Sequence, residues 1–186
     1  MVRDLGTASG IAHIGEVERL LLMSPSRPIV VCRAKTPSAV SGLVAPHMGT
    51  LGIMLPYTPL HHLILERDCE ILVMTSANVT DEPICICNQE AITRLSGIAD
   101  AFVVHDREIL VRCDDSVVMM AMNQPYMIRR SRGYAPRPTP LGETLPAVLA
   151  LGAHLKSTVC IVKEDKAFLS PHIGDLETPL ARDFFP

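Results

Sequence analysis

Tryptophan is absent from this 186-residue chain, and only three Tyr and four Phe stand in it. A core built here must rest on Leu, Ile, Val and Met, and there is little aromatic material for stacking nucleic-acid bases. No excess of one charge is present either. The 17 Lys and Arg face 20 Asp and Glu, a net charge of −3. That balance argues against generic binding to nucleic acid or a membrane surface, so any anion site must be a local patch. Long hydrophobic runs are missing: the longest, Val117 to Met122, falls far short of the roughly 20 residues a spanning helix needs. The opening MVRDLGTASG has no apolar core of a secretory signal, so a cytoplasmic location is expected. None of the six cysteines (32, 69, 85, 87, 113 and 160) forms a C-x-x-C pair. Cys85 and Cys87 are the one close pair and are read as ordinary thiols rather than metal ligands. No repeat or low-complexity tract is visible.

What is present is apolar residue at 48%, which excludes disorder. A chain this long can bury roughly 70% of its unfolded surface, enough for one domain or one domain plus part of another. The patterning is mixed α/β. Glu16 to Met23 reads as a helix stopped by Ser24-Pro25, Thr58-Pro59 opens a second, and Asn88 caps a third over Gln89 to Leu95. Pro28 to Cys32, Ile71 to Thr75, Phe102 to Val104, Ile109 to Val111 and Ser116 to Met122 read as strands, while 33–56 reads as loop. Gly133, Pro136, Pro138, Pro140, Gly142 and Pro146 then mark a stiff linker. Beyond it, Val148 to Leu151 and Thr158 to Val162 read as a hairpin, with Phe168 to Ser170 as a third strand.

Three polar clusters are candidates for chemistry. Thr75-Ser76-Ala77-Asn78 follows a predicted strand, where ligands bind in open α/β sheets. Its hydroxyls and amide suit phosphate oxygens or a base edge, or they bond their own loop. Arg112, Asp114 and Ser116 share one face if extended, either as a site or as an internal ion pair. Arg129-Arg130-Ser131-Arg132, with Arg137 beyond, lies in a stretch without acidic residues between Ser116 and Glu143. Guanidinium forks match phosphate geometry, but solvated linker arginines fit the same run. His61 and His62 point about 100° apart on a helix and do not suit one metal ion. Gly152 to Thr158, with Lys156, is a weak phosphate-loop candidate without Walker A spacing. His172 has no metal-ligating partners in the sequence.

Several longer runs carry a resemblance. Gly52-Ile-Met-Leu-Pro-Tyr-Thr-Pro-Leu-His-His62, Leu72 to Asn78 with Glu82-Pro83-Ile84, His105-Asp-Arg107, Arg112-x-Asp-Asp-Ser-Val117, Ile128 to Pro136 and His172-Ile-Gly-Asp-Leu176 together resemble the HypF family of hydrogenase maturation carbamoyltransferases. The resemblance implies a YrdC-like twisted mixed sheet with helices over 1–135, truncated at its N-terminus. It implies a linker over 136–146, and over 147–186 the first β-hairpin of an actin-like-ATPase-fold carbamoyltransferase domain. It implies ATP-dependent activation of carbamoyl phosphate to a carbamoyl-adenylate. The carbamoyl group then passes to the C-terminal cysteine of HypE, on the way to the cyanide ligand of [NiFe]-hydrogenase. Threonylcarbamoyl-adenylate synthesis and double-stranded RNA binding are the alternatives within the superfamily. Carried over by motif, Thr75, Ser76, Asn78, Ser116 and Arg130 are expected to bind nucleotide, with Arg112 and Arg130 offsetting phosphate charge. Mg²⁺ is expected by analogy with nucleotidyl transfer. Zinc is expected only in family domains outside this chain. A phosphate-binding Lys/Arg motif is expected before Met1, so the isolated chain is expected not to turn over.

Overall fold

In a computed structural model, all residues are described except 67, 68, 81, 154–156, 172, 174 and 184–186. Along the chain the elements are α1 (Leu5–Ile11), β1 (Ala12–His13), α2 (Glu16–Met23), β2 (Ile29–Ala34), β3 (Thr50–Ile53), α3 (Pro59–Glu66), α4 (Asn88–Leu95), β4 (Val117–Ala121), β5 (Gln124–Arg129), β6 (Thr139–Leu151), β7 (Val159–Leu169) and α5 (Pro179–Arg182). They fall into two units. The first comprises Met1–Met74 and Asp115–Gly133, the second Thr75–Asp114 and Tyr134–Pro186. Both are discontinuous in sequence, unlike the contiguous spans 1–135 and 147–186 read from the motifs.

The first unit is the mixed α/β body expected. Asp4 starts α1 by accepting the Thr7 N–H at 2.8 Å, which satisfies one orphan donor of the first turn. Helix α2 carries Glu16 and Glu18 in its first turn, where the helix dipole favours negative charge. It ends before Pro25, as the sequence predicts. Strand β2 is the hub of a five-stranded sheet: antiparallel to β1 and β3, parallel to β4. Strand β5 returns antiparallel to β4 through Met122 and Asn123, whose φ angles of 49° and 60° make the left-handed two-residue turn that suits strand twist. Val2, Ala8, Ile11, Leu22, Val30, Cys32, Ile53 and Leu55 form the core between helices and sheet. Met1, Met54 and Leu65 form a smaller cluster beside it.

The second unit holds α4, the β6–β7 hairpin and α5. Helix α4 begins at Asn88 rather than after it, with Cys87 at the cap position. The predicted cap side chain instead donates to the His105 carbonyl at 2.7 Å. The predicted linker is partly strand, because β6 starts at Thr139. Register shifts between Pro140 and Leu145, and between Leu145 and Val148, absorb prolines that cannot donate to a ladder. Phe168 and Leu169 extend β7 and do not make a third strand.

Three predicted strands do not form. Of Ile71 to Thr75 only Ile71 makes a ladder contact, a single bridge to Val2. Phe102 to Val104 and Ile109 to Val111 have no strand assignment. Val103 and Leu110 are about four-fifths exposed, at 80% and 79%. An apolar run becomes a strand only where a neighbouring backbone is available to pair with it, and periodicity does not show that. Conversely, α1, β3 and β5 arise where no element was read. Gly6 and Gly10 mask the helical pattern of α1, β3 is short, and β5 hides in a run read for its arginines. Lys156 of the weak phosphate-loop candidate, and His172, lie outside the described residues.

Candidate functional site

Of the five residues expected to bind nucleotide, Ser116 and Arg130 belong to the first unit and Thr75, Ser76 and Asn78 to the second, as does Arg112, expected to offset phosphate charge. In the first unit, β4 and the segment leaving β5 are stapled by a side chain. Ser116 is fully buried. Its Oγ donates to the Arg132 carbonyl at 2.9 Å and accepts the Ser131 N–H at 2.7 Å. Both bonds go to backbone, so the hydroxyl fixes the path of 130–132, and with it the position of half-buried Arg130.

Arg132, part of the arginine cluster but not among the residues expected to bind nucleotide, is anchored on several sides. Its Nε meets Asp115 Oδ1 at 2.6 Å, and its Nη atoms donate to the Ser26 and Arg27 carbonyls at 3.3 and 2.8 Å. Its guanidinium lies 3.5 Å from the centre of the Tyr57 ring. Tyr57 in turn meets His61 edge-on at 4.5 Å. Burial, reinforced by Asp115, raises the Tyr57 pKa, so the phenol keeps its proton and remains a donor near neutral pH. Burial also lowers the His61 pKa and favours the neutral imidazole. His61 Nδ1 is buried with no hydrogen-bond partner among the described residues. The backbone approach beside this group requires Gly133. Its φ is +84°, and an added Cβ would lie 2.5 Å from the Ser26 carbonyl oxygen.

In the second unit, Thr75 and Ser76 are exposed and Asn78 is half-buried on a tight turn. Ser76 Oγ donates to Asn78 Oδ1, Asn78 N–H donates to the Ser76 carbonyl at 3.1 Å, and Asn78 Nδ2 donates to the Val79 carbonyl at 2.9 Å. Polar groups at the exposed rim of an ordered turn can meet phosphate or base without a further change of backbone. Arg112 donates through Nε to the Ile84 carbonyl at 2.7 Å, and its Nη2 lies 3.6 Å from Glu90. Arg94 holds Glu90 through Nη1, and Glu82 through Nη2 at 2.6 Å. Glu82 belongs to a motif of the sequence, while Glu90 and Arg94 belong to none. The i, i+4 spacing of Glu90 and Arg94 was the signal available.

Among the described residues, no group of three His, Cys, Asp or Glu side chains is placed to hold a metal ion. All six cysteines are free thiols, with Cys85 buried and Cys87 exposed. No described helix is long and apolar enough to cross a membrane.

Residues 1–131 match the Sua5/YciO/YrdC family, described as "Telomere recombination", and residues 143–186 match the HypF Kae1-like domain. The chain is 46% identical to the carbamoyltransferase HypF of Rhizobium leguminosarum over 99% of its own length and 25% of that relative. It is 40% identical to the probable carbamoyltransferase HypF of Methanocaldococcus jannaschii, covering 88% of itself and 22% of the relative. Among solved structures it is similar to full-length HypF in a phosphate- and nucleotide-bound form, with TM-score 0.90 and 42% identity over 98% of this chain and 24% of that one. It is also similar to HypF of T. kodakarensis, with TM-score 0.93 and 34% identity over 99% of this chain and 24% of that one. The chain thus spans about a quarter of the length of the relatives it matches.

Proposed function

The chain belongs to the Sua5/YciO/YrdC family and to the HypF proteins, and on that premise we propose that it forms the nucleotide-using part of a hydrogenase maturation carbamoyltransferase. The observation that carries this reading is 46% identity to a carbamoyltransferase HypF across 99% of the chain. In the reaction, carbamoyl phosphate is hydrolysed to carbamate and phosphate. A carbamate oxygen then forms a bond to the α-phosphorus of ATP. The bond from that phosphorus to the bridging oxygen breaks, and pyrophosphate leaves with the electron pair. The carbamoyl-adenylate passes its carbamoyl group to the C-terminal cysteine thiolate of HypE, releasing AMP.

No covalent protein nucleophile is required for the adenylation. The protein's task is positioning and charge stabilisation. In the second unit, Thr75, Ser76 and Asn78 offer donors and acceptors suited to a nucleotide; in the first, Arg130 carries a guanidinium suited to phosphate charge on a backbone path set by Ser116. Arg112, which the sequence offers for the same charge-offsetting task, donates in the fold to the Ile84 carbonyl and lies beside Glu90. Mg²⁺ would supply further charge neutralisation on the phosphates when bound.

The test is replacement of the matching quarter of the Rhizobium relative by this chain, followed by ATP–pyrophosphate exchange. Exchange that depends on carbamoyl phosphate, and is lost in Ser76→Ala and Asn78→Ala, is the expected result. Exchange driven by threonine and bicarbonate would replace this reading with threonylcarbamoyl-adenylate synthesis. Double-stranded RNA binding without exchange would replace it with the binding-module reading.

A further inference from the structure

Two arginines in the second unit grip three consecutive residues of one short segment, Glu82, Pro83 and Ile84. Arg94 Nη2 reaches the Glu82 carboxylate at 2.6 Å and the Pro83 carbonyl at 3.2 Å. Arg112 Nε reaches the Ile84 carbonyl at 2.7 Å. Glu90, on the first turn of α4, accepts the Ile86 N–H at 3.2 Å, pairs with Arg94 Nη1 and lies 3.6 Å from Arg112 Nη2. Side chains of Glu90, Arg94 and Arg112 are each only about a quarter exposed or less, so solvent screens the network weakly. The gripped segment is tied back to the 75–78 turn. Cys85 N–H donates to the Ala77 carbonyl at 2.8 Å, and Glu82 N–H donates to the Val79 carbonyl at 3.0 Å. Ala77 lies between Ser76 and Asn78, whose side chains bond each other over it.

We infer that Arg112 and Arg94 are positioning residues: with Glu82 and Glu90 they clamp 82–86, and through the Cys85–Ala77 bond they hold the Ser76–Asn78 turn in its ligand-ready shape. The inference rests on the reading of that turn as a nucleotide contact. Arg112 therefore acts through the loop and not on the phosphates. The guanidinium fork matters because one planar group must serve a carbonyl and a carboxylate in fixed directions. A lysine keeps the charge beside Glu90 but cannot reproduce both directions.

The experiment uses the full chain with Arg112→Lys and Arg94→Lys. Amide hydrogen exchange is read at Cys85, with Val31 of β2 as the reference, alongside calorimetric titration with ATP and a thermal melt. The expected result is exchange at Cys85 at least tenfold faster and ATP about tenfold weaker, with Val31 protection unchanged. A purely structural role would speed Val31 and Cys85 together and lower the melt. Wild-type protection at Cys85 in both variants overturns the clamp, and so does lost protection with ATP affinity kept. If the wild-type sequence takes up no ATP even when it replaces the matching quarter of the Rhizobium relative, the nucleotide reading of the turn fails, while the Cys85 rates still decide whether the arginines hold it.

Discussion

The two units are held together by different forces. In Met1–Met74 with Asp115–Gly133, helices and sheet enclose a contiguous apolar cluster, and the backbone ladder runs through five strands. Among the described residues of the 75–114 part of the second unit, only Cys85 and Leu95 are buried apolar residues. Order there comes from guanidinium–carboxylate and guanidinium–carbonyl bonds around one loop. Apolar burial is non-directional and carries no titrating group, whereas an ionic clamp is directional, titrates with pH and is screened by salt. A scaffold suits the first, and a loop that must present polar groups in fixed directions suits the second.

The contrast is broken most severely from the apolar side. Leu22→Ala removes a fully buried side chain from the first core and is expected to cost about 2–5 kcal/mol in denaturant unfolding. A loss below about 1 kcal/mol would show that the core tolerates collapse at that point. Ser116→Ala is expected to cost about 1–3 kcal/mol, because the Ser131 N–H and Arg132 carbonyl each lose a buried partner. Ser76→Ala, by contrast, is expected to cost under about 0.5 kcal/mol, since the residue is exposed, while abolishing nucleotide uptake. Equal stability losses at 76 and 116 would erase the distinction between a contact residue and a staple.

Acid sharpens the comparison further. Burial works to raise the Glu90 pKa, but the Ile86 N–H and the neighbouring guanidinium groups outweigh it and hold the value below 4.5. A carboxylate depressed in the folded state contributes stability above its unfolded pKa, and that stability is lost as pH falls through the folded value. Protection of the Cys85 amide should therefore fall below about pH 4.5, and Glu90→Gln should flatten that profile. His61 has the same sign, and its effect in the first unit begins at higher pH. Its lowered pKa means that stability present above pH 6.5 declines as the unfolded imidazole gains its proton. His61→Gln should remove that slope below about pH 6.5 in melts followed by circular dichroism.

The helices were the most legible part of the sequence. Glu16–Met23 appears with the predicted bounds, because its acidic first turn and following Pro25 are local signals. The hairpin before Leu169 was likewise visible in its apolar alternation. Less legible were the strands: Val73 and Val103 look like Val30 in sequence, yet they are 72% and 80% exposed where Val30 is fully buried. Cluster chemistry was legible as residue type but not as partnership. Asp115 and Arg132 are 17 positions apart, and Ser26 and Arg132 are 106 apart. No spacing rule links them.

Composition and motif by themselves determined the mixed α/β class, the polar turn at 75–78 and the kinship with HypF proteins, since each is written in contiguous residues. Tertiary structure alone decided that β2 takes both parallel and antiparallel neighbours, that the Ser116 hydroxyl is spent on backbone, and that Arg112 is turned onto Ile84 and Glu90. The physical reason is that a side chain's direction and partners follow from which backbones lie beside it, and long-range backbone pairing is a property of the folded chain as a whole.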